Sequence, residues 1–147
     1  EEITAPRLRV VNEDGSFIIK EGQPGGGGKT LRSQFRILVE FMESLNYVNM
    51  KPVSNELVRL NGQETTAIQG LVEDDKVIAL YLSRKDTADG GSLIEINLPA
   101  GSFTLTWVDT KTAGKTVSAL NNHASGWTTI FSPAFIEDLA LKVVRSN

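Results

Sequence analysis

Between Leu31 and Leu45 the apolar residues Leu31, Phe35, Leu38, Met42 and Leu45 recur at alternating spacings of four and three. That spacing lays one stripe along a helix of 3.6 residues per turn, and Ile37 and Phe41 widen it. Thr30 offers a hydroxyl that can accept from an early helical amide. Pro52 cannot continue a helix and pushes Lys51 towards extended geometry. The pattern predicts a helix over residues 30–46.

Beyond Pro52 the period falls to two. Val77 to Leu82 is a dense apolar run suited to a central strand. Ile94, Ile96 and Leu98 alternate with Glu95 and Asn97, and Phe103, Leu105 and Trp107 alternate with Thr104 and Thr106. Leu139, Leu141 and Val143 alternate with Ala140 and Lys142. Val117 to Leu120, Thr128 to Phe131 and Thr65 to Val72 are further strands, the last weakened by Gly70. Turn signals separate them, among them Glu73-Asp74-Asp75, Pro99-Ala100-Gly101 and Ser132-Pro133. Upstream, Leu8 to Val11 and Ser16 to Lys20 read as a hairpin around Glu13-Asp14-Gly15. Short strands with a turn every ten residues or so predict a mainly β fold. The expected architecture is an antiparallel β-sandwich with one long N-terminal α-helix packed against it. Residues 1–52 would hold the hairpin, a glycine-rich linker and the helix. Residues 53–147 would form the sandwich, and together they would make one compact unit.

Composition narrows the function. With 147 residues, the chain fits one domain and can bury a sizeable core. Fifteen basic residues against eighteen acidic ones give a net charge of −3. Such a balance does not draw in polyanions, so nucleic acid is not an expected partner. No apolar run approaches the ~20 residues of a membrane helix, and membrane insertion is not expected. The absence of cysteine rules out disulfides, thiolate chemistry and a cysteine-based zinc site. The chain opens at Glu1 without a basic-then-apolar leader. The expectation is a processed chain or a piece of something larger.

The stretch GQPGGGGKT, Gly22 to Thr30, invites a phosphate-binding reading. A P-loop needs Gly, four residues, then Gly-Lys-Ser/Thr. Counting back from Gly28-Lys29-Thr30 puts that first position on Gln23, with Gly22 one place too early. The alternating strands and helices of a nucleotide-binding sheet are also missing. The glycines therefore read as a mobile linker into the helix, and no nucleotide or other cofactor is expected. His123 is the single histidine, in the loop-like stretch Asn121 to Gly126. It reads as a solvated loop residue, with a catalytic base as the alternative. Glu73, Asp74 and Asp75 lack the spacing of an EF-hand and read as an acidic turn. Eighteen carboxylates give many pairs for glycoside chemistry and no preferred one. Among the aromatics, Trp127 follows Ser125-Gly126 and is the better candidate for a sugar-stacking platform. Trp107 alternates with core positions. Trp107, Asp109 and Tyr81 complete the set of candidate ligand residues.

Gly25 to Pro52 resembles a segment late in a group of bacterial glycoside-hydrolase-like proteins that pair a (β/α)8 barrel with a C-terminal β-sandwich. There a glycine-rich stretch leads into the last barrel helix, patterned Leu-Arg-x-Gln-x-x-x-Leu-x-x-Phe-x-x-Ser. Leu31, Arg32, Gln34, Leu38, Phe41 and Ser44 take those places, and Met50 and Pro52 match the exit. Asn12 to Phe17 is similar to the Glu-Asp-Gly that often precedes those glycines. Asp74 to Leu120 resembles the small sandwich that follows such barrels, a domain type named for collagen binding. Trp107, Asp109 and Gly114 fit its Trp-x-Asp-Pro-x-x-Gly turn, with Thr110 in place of Pro and one residue inserted before Gly114. Phe131 to Val144 is similar to its closing strand, with Ala134 in place of a second Pro.

In that family the catalytic glutamates lie on barrel strands, and 147 residues cannot hold a barrel of ~250 as well as a sandwich. The resemblance therefore carries no catalytic residue onto this chain. It implies a non-catalytic accessory domain of a secreted, periplasmic or surface carbohydrate-active protein. The implied partners are a polysaccharide or an adjacent catalytic barrel. Two alternatives stand: a free-standing module that binds glycan or matrix protein, and a small enzyme using His123 or a carboxylate pair.

Overall fold

The computed structural model of the chain describes residues 28–60, 66–85 and 90–146. The expected N-terminal hairpin and all of the glycine stretch except Gly28 lie outside these residues. Helix α1 (Lys29–Glu43) is followed by a 3-10 turn (Tyr47–Asn49) and nine strands. These are β1 (Lys51–Pro52), β2 (Val58–Leu60), β3 (Thr66–Glu73), β4 (Val77–Arg84), β5 (Leu93–Leu98), β6 (Gly101–Asp109), β7 (Lys115–His123), β8 (Gly126–Phe131) and β9 (Asp138–Ser146). The strands form a six-stranded sheet in the order β1-β3-β4-β9-β6-β7 and a three-stranded sheet in the order β2-β5-β8. Every pairing is antiparallel. Among the described residues the fold is a mainly β sandwich with one α-helix.

The period-two pattern becomes the core directly. Trp107, Leu141 and Leu80 lie side by side across β6, β9 and β4, and Leu105, Val143 and Ile78 form the next row. The small sheet answers with Val58, Ile94, Ile96, Leu98 and Ile130, all in the same buried cluster. Each such side chain contributes roughly 1.5–3 kcal/mol by leaving water. At one end of the sandwich a polar staple replaces apolar packing. The buried Ser92 amide donates to Ser132 Oγ at 2.8 Å, and Thr66 Oγ1 lies 3.3 Å from Ser92 Oγ.

Three local expectations change. The helix begins one residue earlier than expected, at Lys29, and Gly28 rather than Thr30 is the N-cap, without a side-chain hydrogen bond. The Gly28 carbonyl accepts from the Arg32 amide at 3.2 Å, which draws the first turn back past Thr30. The helix stops at Glu43 because Ser44 turns onto its last carbonyls, with Oγ donating to Phe41 O at 2.7 Å. Strands β1 and β2 are additions, at two and three residues too short to show a period.

The helix meets the sandwich through its C-terminal end. Leu45 is 8% exposed, Lys142 Nζ donates to Ser44 O at 3.0 Å and to Ser44 Oγ at 3.1 Å, and Asn46 Nδ2 donates to Glu73 Oε1 at 3.2 Å. Towards the N-terminus the apolar stripe opens to solvent, with Leu38 53% and Phe35 56% exposed. No residue of α1 itself is buried.

Candidate functional site

Two surfaces deserve comparison, one on the outer face of each sheet. The first is a cleft of about 730 Å³ between α1 and the outer face of the six-stranded sheet. Phe35, Leu38 and Phe41 form one wall, and Leu71, Ala79 and Ala140 form the other. Alternation explains the second wall. Strands β4 and β9 send Leu80 and Leu141 inward, so Ala79 and Ala140 face out.

One end of the cleft is polar. Tyr81 Oη donates to Asp138 Oδ2 at 2.7 Å, and Thr110 Oγ1 donates to Asp138 Oδ1. Lys111 Nζ lies 2.6 Å from Glu137 Oε2 and 3.9 Å from Asp138 Oδ1. Burial, and then the hydrogen bond to Asp138, push the Tyr81 phenol up to about 12. The hydrogen bond to Glu137 likewise raises the Lys111 ammonium, against its own partial burial. Both groups are thus held in their protonated forms across ordinary pH. An acid or base catalyst instead needs a value near the working pH. Tyr81 and Lys111 therefore serve here as donors to the Asp138 and Glu137 carboxylates.

Asp109 shapes the adjoining turn. Its Oδ1 accepts from the Lys111 and Thr112 amides at 2.8 and 2.9 Å, while its own amide donates to Gly114 O at 2.9 Å. Burial pushes its carboxyl up, but the amides of Thr112 and Lys111 outweigh that and leave it below the usual value. Ala113, just before Gly114, has φ 62° and takes a left-handed conformation in this turn.

Trp107 lies inside the core at 3% exposure, where no ligand from solvent can stack on it. Trp127 stands on β8 rather than in a loop, 39% exposed on the outer face of the small sheet. The Arg59 guanidinium lies 4.0 Å over its ring, and Arg59 Nε pairs with Glu95 Oε2 at 2.6 Å. Phe131, four residues along the same strand, is 67% exposed. The four candidate residues therefore do not converge. Trp107 is core, Tyr81 lies in the cleft, Asp109 caps a turn beside it, and Trp127 lies on the opposite sheet. Sequence reasoning missed Asp138, which joins Tyr81 to Thr110, because the three meet only where β4, β9 and the turn after β6 come together. It also missed Phe131, since Ile130-Phe131 is apolar on both faces of its strand and hides which residue points out.

His123 Nε2 lies 3.2 Å from the Gly126 carbonyl, so its ring closes the β7–β8 turn, edge-on to Phe103. Glu73 is held by Asn46 and lies 3.8 Å from Lys76 Nζ. Among the described residues no three histidines or carboxylates gather as metal ligands. No helix among them is long and apolar enough to cross a membrane.

The sequence matches no protein-family model. It matches no curated protein. Solved structures do share the fold. One, described as a glycoside hydrolase, aligns over 87% of this chain and 30% of its own, with a TM-score of 0.59 and 16% identity. A glycoside hydrolase family 5 protein from Bacteroides vulgatus aligns over 79% of this chain and 24% of its own, with a TM-score of 0.57 and 13% identity. At such identities the likeness is one of fold. This chain spans less than a third of either protein.

Proposed function

We propose that this chain is a non-catalytic accessory domain of a secreted carbohydrate-active protein, and that it braces an adjacent catalytic domain through α1. The observation that carries this reading is the uncovered stripe of α1. Phe35 and Leu38 are more than half exposed above a cleft whose far wall is also apolar. An amphipathic helix normally buries that stripe, so its natural complement is another folded surface. The fold shared with a part of much longer glycoside hydrolases supports a carbohydrate-active setting. A (β/α)8 catalytic barrel is the partner this reading favours.

The reading requires a longer polypeptide, and hydrogen exchange tests it. In the isolated chain the amides of residues 32–40 should exchange quickly, because little packs on them. In the longer polypeptide they should slow by about a hundredfold or more, as expected when a helix joins a cooperative core. The double substitution Phe35→Asp, Leu38→Asp should leave the isolated sandwich folded and abolish that protection. Equal exchange in the two settings would refute the bracing role.

A further inference from the structure

We infer that the outer face of the three-stranded sheet binds a neutral polysaccharide chain, with Trp127 and Phe131 as its two stacking positions. The ligand class rests on the carbohydrate-active setting proposed above, whereas the site stands on its own geometry. Residues 127 and 131 fall on the same side of β8 and are separated by about 13 Å along the strand. A short oligosaccharide spans that distance. The residue that β8 gives to the core is Ile130, so neither ring is needed there. Phe131 is 67% exposed, and Trp127, 39% exposed, has one ring face under the Arg59 guanidinium and the other available to a sugar.

Each ring has a neighbour that limits its motion. Phe131 rests on Gly91, where a β-carbon would come within 2.7 Å of its Cε1. Trp127 carries the Arg59 guanidinium on its ring, and Glu95 ties down that guanidinium in turn. Fixing the rings before binding lowers the ordering cost that a sugar would otherwise impose. Aromatic faces are apolar and carry a negative quadrupole, which suits the C–H face of a pyranose. Thr129 lies between the rings on the same side of the strand, and Asn97 pairs with Trp127 across to β5. Thr129 offers its hydroxyl, and Asn97, whose Nδ2 donates to Glu56 O at 3.4 Å, offers its side-chain oxygen to a sugar. Arg59 and Glu95 cancel each other's charge, so the face favours neither an anionic nor a cationic ligand. It lies on the opposite side of the sandwich from the cleft, so a bound glycan leaves α1 free for its partner.

The test is affinity electrophoresis of the purified chain through xyloglucan, glucomannan and mixed-linkage β-glucan, with carboxymethyl cellulose as the anionic comparison. At least one neutral polymer should retard the chain. Trp127→Ala and Phe131→Ala should each weaken that retardation about tenfold, and Phe35→Asp on the helix should not. Should Trp127→Ala unfold, Thr129→Arg serves instead, placing a long charged side chain between the rings at an exposed position. The inference is overturned if no neutral polymer retards the chain, if only carboxymethyl cellulose does, or if retardation survives in the ring variants. None of these results alters the exchange rates of α1, so the bracing role stands or falls separately.

Discussion

Gly70 sits in the middle of β3, where a glycine ordinarily weakens a strand. Replacing it with alanine sets two effects against each other. Restricting the unfolded chain favours alanine by roughly 0.5–1 kcal/mol. The folded state opposes it, because a β-carbon at position 70 would lie 2.5 Å from the Ala79 carbonyl oxygen and 2.5 Å from Leu80 Cδ2. Leu80 is 1% exposed, and it fills the space that the glycine leaves. The Ala79 oxygen is backbone in the neighbouring strand, fixed by the register that pairs Gly70 with Leu80. It cannot retreat without opening the β3–β4 ladder. Overpacking of this kind costs about 1–3 kcal/mol, and a backbone obstacle puts this case at the upper end. Gly70→Ala should therefore destabilise the chain by about 2 kcal/mol net, a fall in Tm of about 4–8 °C for a domain of this size. Urea unfolding followed by circular dichroism measures it, with Gly28→Ala as the comparison. At Gly28 an added β-carbon meets nothing within 4 Å, and the change should stay within about 0.5 kcal/mol. A Gly70→Ala midpoint equal to or above that of the parent would show that the strand relaxes freely and that the steric argument is wrong.

Other expectations follow from the turns and the cleft. Ala113→Gly removes left-handed strain of about 1–2 kcal/mol but adds about 0.5–1 kcal/mol of chain entropy, so the urea midpoint should rise slightly; a fall would mean that the methyl packs usefully. Asp109 has a lowered carboxyl, so its stabilisation is complete above the ordinary value of 3.8 and fades as pH drops through that region and below. Asp109→Asn should flatten this acid limb of the stability curve, and an unchanged limb would remove the assigned role of the Lys111 and Thr112 amides. Tyr81 has the opposite dependence. Its raised value means stability that is present below 10.0 and lost as pH climbs towards about 12. Tyr81→Phe should abolish that alkaline decline, and a phenolate signal from Tyr81 appearing near pH 10 would contradict the hydrogen bond to Asp138.

The sequence showed the sandwich wherever one face of a strand is dry and the other wet. Ile94-Ile96-Leu98 and Phe103-Leu105-Trp107 declare their inner faces because polar residues occupy the outer ones. Strand β4 lacks that contrast, as Ala79 and Tyr81 face the cleft while Ile78 and Leu80 face the core. The apolar stripe of α1 was equally legible, but its spacing describes only the helix. It cannot say which wall the stripe meets, or that Lys142 and Ser44 would hold one end alone. The candidate surfaces were less legible still. Trp127 was visible as a single ring near a turn, whereas its relation to Arg59 needs the pairing of β2 with β5 and of β5 with β8. Gly91 beneath Phe131 reads in sequence only as part of a turn.

The order of the large sheet also bears on how the chain comes to be folded. Strand β9 follows all the others in sequence yet lies between β4 and β6, joining β1-β3-β4 to β6-β7. Until Asp138–Ser146 has been synthesised, the sheet exists only as two halves. Each half then presents a long strand edge, Val77–Arg84 on one and Gly101–Asp109 on the other. Unpaired edges of this kind recruit other chains. The last strand is thus the keystone, and the large sheet closes only once Asp138–Ser146 is in place.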